Sequence, residues 1–314
     1  MRPNERKVVS VADFHPDLAR TARFIPRTLI TPYTLPLLRG ADRLLSRGAA
    51  RRAADVEILT LASGIGIRLH RPPDTTGTAP GMLWIHGGGY LIGTAAQDDA
   101  ICRRFARELG ITVAAVNYRL APEYPYPIPL EDCYSALAWL AGLPSVDPEA
   151  VVIAGASAGG GLSAALALLA RDRGEIDVAA QVLVYPMLDD RSSYAPGIDG
   201  SGHKLWTKSS NVYGWSSYLG DADPNVAVPS RRDDLTGLPP AWLGVGTLDL
   251  FHDEDVAYAE RLRASGVPCQ LEIVDGAFHG FDGIAPKAPV SQAFTNSQIE
   301  FLRETLKQTE PADA

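Results

Sequence analysis

The chain has 314 residues, 46% of them hydrophobic, which allows one large domain or two small ones around a sizeable core. Its formal net charge of −8 and pI near 5.3 argue against a nucleic-acid partner, which would need a basic surface. The first twenty residues lack the apolar run of a secretory signal, and no apolar stretch is long enough to span a bilayer. Cys102, Cys133 and Cys269 are far apart and form neither a metal-ligand spacing nor a disulfide framework, so the expectation is a cytoplasmic protein with no stable membrane insertion.

In chain order, residues 1–50 read as helical but broken by Pro26, Pro32 and Pro36. "VEILTLA" and "GIGIRLHR" flank Ser63-Gly64 and predict a hairpin. "GMLWIHG" is a strand, and Asp98–Leu109 is a helix expected to bury Ile101, Phe105 and Leu109. "TVAAVNY" is a strand, Leu130–Leu140 a helix, "VVIAGA" a strand, and "GGLSAALALLARDRG" a helix stopped by Gly174. "AQVLVYPM", "AWLGVG" and "QLEIV" are further strands. A helix near Val256–Ala264 separates the last two, and another closes the chain around Ser291–Leu306. Strand–helix alternation with near-continuous apolar strands predicts an α/β protein. Its sheet would be mostly parallel, eight-stranded and covered by helices on both faces.

Two segments interrupt the alternation. Residues 1–50 are expected to form an N-terminal cap. Residues 188–235 are loop-rich, carry Tyr194, Trp206, Tyr213, Trp215 and Tyr218, and are expected to form a lid. The core would then comprise 51–187 and 236–314.

Ligands bind beyond the carboxyl ends of the strands in such sheets, so chemistry is sought there. In "VVIAGASAGGG" a single hydroxyl, Ser157, stands between strand and helix, with Gly155 and Gly159 two positions to either side. A turn that sharp forces its middle residue into an unfavourable backbone region and leaves no room for neighbouring side chains. A phosphate loop is excluded because Gly161-Leu162 stands where Lys-Ser/Thr is needed. A serine nucleophile needs a base, and the base needs orienting. His279, in the loop "DGAFHGF" after the last strand, is the candidate base. His203 lies in the lid, and His252 begins a helix too near the acid. Asp249, at the end of "AWLGVGTLD", is the candidate acid, with Asp253 and Asp275 as competitors. The glycines of "WIHGGGY" expose backbone N–H groups suited to an oxyanion, and His86 is expected to anchor that loop. "DADPN" at Asp221 fails as a calcium loop, with Val226 and Arg232 where Gly and Glu are required. No metal or cofactor is expected.

"HGGGY", "YRLAPEYPYP", "GASAGG", "GTLDLFHDE" and "FHGF", in that order, resemble the bacterial hormone-sensitive-lipase family of α/β-hydrolase esterases, across about residues 55–308. The resemblance implies an α/β-hydrolase fold with a helical cap. It also implies hydrolysis of short- to medium-chain carboxylic esters through a Ser157–His279–Asp249 triad and an acyl-enzyme. Gly88, Gly89 and Ala158 would be the oxyanion donors, and Arg119 and Glu123 an ion pair beneath the glycine loop. Tyr90, Trp206 and Tyr213 would line the substrate pocket. The chain departs from the family in having Ala156 where an acidic residue is usual, and Asp249-Leu250 where Asp-Pro is usual. Other readings of the same scaffold are a non-catalytic small-molecule receptor, an amidase and an acyltransferase. "QLEIV" is expected at a sheet edge, where a second copy could pair to form a homodimer.

Overall fold

The computed structural model describes residues 13–28, 30–52, 55–73, 77–195 and 203–307. Residues 1–12 of the expected cap and 196–202 of the expected lid lie outside the described residues. The chain opens with helices α1 (Pro16–Ala22) and α2 (Leu35–Arg52). Pro26 and Pro32 fall in the connection between them. Pro36 does not break a helix: it is the second residue of α2, where the N–H it lacks would have had no intrahelical acceptor.

The core alternates as expected. Strands β1 (Glu57–Thr60), β2 (Gly66–His70) and β3 (Ala79–Ile85) are followed by α3 (Asp99–Leu109), β4 (Thr112–Asn117), α4 (Ile128–Ala141) and β5 (Val146–Ala156). Next come α5 (Ala158–Arg173), β6 (Ala180–Val184), α6 (Lys208–Leu219), α7 (Pro224–Ala227) and β7 (Ala241–Gly246). The chain ends in α8 (His252–Ala264), β8 (Cys269–Val274), α9 (Phe281–Ile284) and α10 (Pro289–Lys307). All eight strands form one sheet in the order β1-β2-β4-β3-β5-β6-β7-β8. β1 and β2 are the predicted hairpin; β2 also runs antiparallel to β4, and every other pair is parallel.

The registers explain the near-continuous apolar strands. Successive side chains enter two separate cores, because both faces of the sheet are covered. Leu83, Ile85, Val151 and Ile153 face the core under α4, α5 and α8, while Met82, Trp84, Val152 and Ala154 face the one under α3 and α10. On α3 the buried residues are Cys102, Phe105 and Ala106. Ile101 and Leu109 are only partly covered, so the inward face is rotated from the one expected. β5 starts at Val146, five residues before "VVIAGA". Because β3, β5, β6, β7 and β8 are parallel, the loops that follow them emerge at one end of the sheet, and the candidate residues all lie on those loops.

Candidate active site

Ser157 sits between β5 and α5 with φ 57° and ψ −122°, a left-handed conformation that a non-glycine residue holds only under strain. The flanking glycines are required by close approach. A Cβ on Gly159 would stand 2.0 Å from the Ile85 carbonyl oxygen, and one on Gly155 would stand 2.5 Å from the Gly159 carbonyl oxygen. The strained residue is pinned on both sides: its N–H donates to the Val184 carbonyl (2.8 Å), and its carbonyl accepts from Met187 N–H (3.0 Å) and Gly161 N–H (2.9 Å).

Three distant segments meet at this hydroxyl. Ser157 Oγ is 2.9 Å from His279 Nε2, and His279 Nδ1 is 2.8 Å from Asp249 Oδ2. The other Asp249 oxygen accepts from Phe251 N–H (3.0 Å), which fixes the carboxylate. All three side chains are buried, and the imidazole is held edge-on by the rings of Tyr185 and Phe251 at 5.0 and 5.1 Å. This arrangement can pass a proton from the serine to an imidazole whose other nitrogen is already engaged. The competing acids are elsewhere: Asp253 is exposed and contacts His252, and Asp275 accepts from the Thr247 hydroxyl.

The glycine loop faces the same hydroxyl. Gly88 (φ 125°) and Gly89 (φ 61°) occupy conformations that L-side chains avoid. A Cβ would meet the Ile92 carbonyl oxygen at 2.1 Å from Gly88 and the Trp206 ring at 2.0 Å from Gly89. Among the described residues, no acceptor takes the N–H of Gly88, Gly89 or Ala158. Ala158 is the first residue of α5, whose amino-terminal dipole favours negative charge beside it. His86 holds the loop from below, as expected. Its Nδ1–H donates to the Gly87 carbonyl (2.8 Å), its ring stacks on Tyr118 at 4.3 Å, and burial lowers its pKa to about 4, so it is neutral near pH 7.

A cavity of about 250 Å³ opens onto Ser157, His279 and the three loop glycines. Of the three residues expected at the pocket, Trp206 lines this cavity and Tyr90 and Tyr213 do not. Tyr90 (φ 65°) turns inward, is fully buried, stacks on Tyr218 at 4.1 Å and donates to the Met187 carbonyl. Tyr213 packs half-buried against the hydrophobic core.

A family model described as the alpha/beta hydrolase fold matches residues 82–283. The chain is 34% identical over 266 residues to the esterase LipI of Mycobacterium tuberculosis, covering 81% of this chain and 82% of that protein. It is 33% identical over 233 residues to the ethyl acetate hydrolase of Pseudomonas putida, covering 68% and 70%. Among solved structures, a bacterial heroin esterase matches with a TM-score of 0.85 at 37% identity, covering 95% of this chain and 99% of that chain. The chain belongs to the alpha/beta hydrolase family. Its branch is the hormone-sensitive-lipase-like one, and its relatives make it a carboxylic ester hydrolase.

Several residues at this hydrolase's site were not legible in its sequence. Ile30, Leu205 and Ile284 supply apolar cavity walls, and Asp98 and Tyr185 supply polar ones. Tyr185 directly follows β6, so the strand-end rule could have found it; Ile30 and Leu205 carry no local signal. Asp98 accepts from the Trp84 indole (2.8 Å); desolvation, with the nearby Asp282 charge adding to it, pushes its carboxyl up to about 7. The expected Arg119–Glu123 pair does not form. Arg119 forks onto Asp132 (2.6 and 2.9 Å), while Glu123 takes Arg39 of α2 (2.6 Å). Arg39 also donates to the carbonyls of Leu91 and Ala121, so the support beneath the glycine loop comes from the N-terminal helix.

Proposed function

We propose that this hydrolase cleaves esters of short- to medium-chain acids through an acyl-enzyme built on Ser157. The observation that carries the reading is the unbroken chain from Ser157 through His279 to Asp249. Ser157 Oγ attacks the ester carbonyl as His279 Nε2 takes its proton. Asp249 holds Nδ1–H and offsets the imidazolium charge. The N–H groups of Gly88, Gly89 and Ala158 receive the oxyanion, each donor worth about 3–4 kcal/mol of barrier. His279 then protonates the leaving alcohol, and water repeats the sequence to release the acid.

A cavity of about 250 Å³ supports small substrates, since pockets for drug-sized ligands start at roughly 300 Å³. The name of the ethyl acetate hydrolase points the same way. Trp206 and Leu205, with Ile30, make the wall apolar and favour uncharged esters, and they support reading residues 1–50 and 188–235 as cap and lid. Three free cysteines support a cytoplasmic location. No helix among the described residues is long and apolar enough to cross a membrane.

The test is turnover of p-nitrophenyl acetate, butyrate and octanoate by wild type, Ser157→Ala and His279→Ala. Both variants should lose at least about 10³-fold in kcat while melting within a few degrees of wild type. Ser157→Ala retaining activity would move the nucleophile elsewhere. A wild type that binds esters without turnover would instead favour the receptor reading.

The edge strand β8 supports a homodimer by strand pairing, its Ile273 being 45% exposed. Light scattering should then give twice the 33.6 kDa chain mass, and Ile273→Lys should return it to one chain. A wild type that is monomeric at micromolar concentration rejects the dimer.

A further inference from the structure

Charge is distributed unevenly along the chain. Residues 1–52 carry eleven Lys and Arg against four Asp and Glu, whereas the other 262 residues carry eighteen against thirty-three. The basic segment also presents bulky apolar side chains to solvent: Phe24 is 80% exposed, Tyr33 91%, Leu37 76% and Leu44 68%. Leu37 and Leu44 are two helical turns apart on one face of α2, and Tyr33 lies one turn before Leu37. The opposite face is committed to the body, through buried Leu35 and through Arg39 on Glu123. Arg20 and Arg23, both exposed, stand beside Phe24, and by sequence the later turns of α2 add Arg43, Arg47, Arg51 and Arg52.

The same segment walls the active-site cavity from its inner side. Ile30 lines the cavity, the Pro26 carbonyl accepts from Leu205 N–H (3.0 Å), and the Ile30 carbonyl accepts from the Ser210 hydroxyl (3.1 Å). Elsewhere among the described residues the exposed large apolar residues are single and scattered: Ile58 on β1, Tyr124 and Tyr194 in connections, Val226 on α7 and Ile273 on β8. Against a second copy of this chain, the same face would set its own basic residues against one another. Projecting Tyr33, Leu37 and Leu44 side chains, on a segment rich in arginine and a protein otherwise acidic, match the boundary between acyl chains and anionic headgroups.

We propose that the outer face of the N-terminal cap docks on an anionic lipid bilayer, with Phe24, Tyr33, Leu37 and Leu44 in the interface and the acidic body facing away. The attachment is peripheral and does not depend on the catalytic reading, because binding is measured without turnover. Apolar contact sets the depth and arginine attraction sets the lipid preference, which salt screens.

The experiment is co-sedimentation of the full chain with phosphatidylcholine vesicles, with and without phosphatidylglycerol, at low and at half-molar salt. We expect binding to the anionic vesicles at least tenfold tighter than to neutral ones, weakened at least tenfold by the high salt. Tyr33→Asp/Leu37→Asp should lose at least tenfold in binding with an unchanged near-ultraviolet circular dichroism spectrum. If that variant does not fold, Arg20→Glu/Arg23→Glu, both surface positions, gives the same readout for the electrostatic part. Equal binding to neutral and anionic vesicles, no sedimentation, or wild-type binding by the variants overturns the proposal. A dimer formed without vesicles and lost in Tyr33→Asp/Leu37→Asp also overturns it, by assigning the face to a second copy.

Discussion

A single methyl group at Gly89 distinguishes a positioned oxyanion loop from a merely flexible one. The residue is at φ 61°, and its Cβ would lie 2.0 Å from the Trp206 ring, which is itself tied by its indole N–H to Asn211 (3.0 Å). Gly89→Ala therefore has to flatten its own backbone conformation and push Trp206 from the cavity wall. Losing one well-aimed donor costs about 10²–10³-fold in kcat. We expect a fall of that size, with partial recovery when Trp206→Leu is added, because the steric part of the cost is then relieved. A Gly89→Ala enzyme with wild-type kcat would show that this N–H does no catalytic work. The glycines, the serine and the histidine were legible in sequence because each follows from a local constraint: a turn without room, or a strand end. Tyr90 and Tyr213 were misread because sequence shows that an aromatic residue is near a site but not which way it points. Tyr90 is directed inward by a positive φ at the end of the glycine loop.

At the level of elements, the 188–235 insertion is fastened to the core by a helix that starts just past the candidate acid. Glu254, in the first turn of α8, accepts from the N–H groups of Leu188 (2.7 Å) and Asp189 (3.1 Å) and from the Ser192 hydroxyl. A second tie, Arg231 on Asp190 (2.7 and 2.8 Å), joins the two ends of the insertion. Glu254→Ala strands two backbone donors at a buried joint, and each stranded donor costs about 1–3 kcal/mol. Calorimetry should show Tm lowered by roughly 4–8 °C. KM should rise more than kcat falls, since Trp206 is displaced while Asp249 keeps its bond from Phe251. An unchanged Tm would mean that the joint is held by packing alone. The strand order, the hairpin and the parallel core were legible from apolar periodicity, which is a local property. The joint was not, because it pairs a carboxylate with residues more than sixty positions away. For the same reason Arg119 and Glu123, four residues apart, read as partners, whereas each found a partner on another element.

Across the whole molecule, the buried carboxyls set an acid-side stability optimum. Burial raises the pKa of Asp98 to about 7 and raises those of Glu254, Asp255 and Asp282 as well; for Asp255 the charges of Glu254 and Asp249 add to the burial. A carboxyl with a higher pKa folded than unfolded binds more protons in the folded state between the two values. Stability therefore falls as pH rises across that interval, which for Asp98 runs from about 4 to about 7. The opposing group consists of carboxylates held down by surface arginines, such as Asp55 by the hydrogen bond from Arg103 and Glu108 by that from Arg104. Their contribution is present above pH 4 and lost below it, and solvent screening keeps it small. The net charge of −8 adds self-repulsion on the alkaline side. Tm should therefore peak near pH 5–6 and decline toward pH 8.5. Asp98→Asn keeps an oxygen for the Trp84 indole but cannot ionise. It should melt on the order of 5 °C above wild type at pH 8.5, with the difference vanishing near pH 5. A wild-type Tm that climbs steadily from pH 5 to 8.5, or an Asp98→Asn gain that is the same at both ends, would mean that these carboxyls are ionised in the folded protein and that their burial is offset by contacts other than those described.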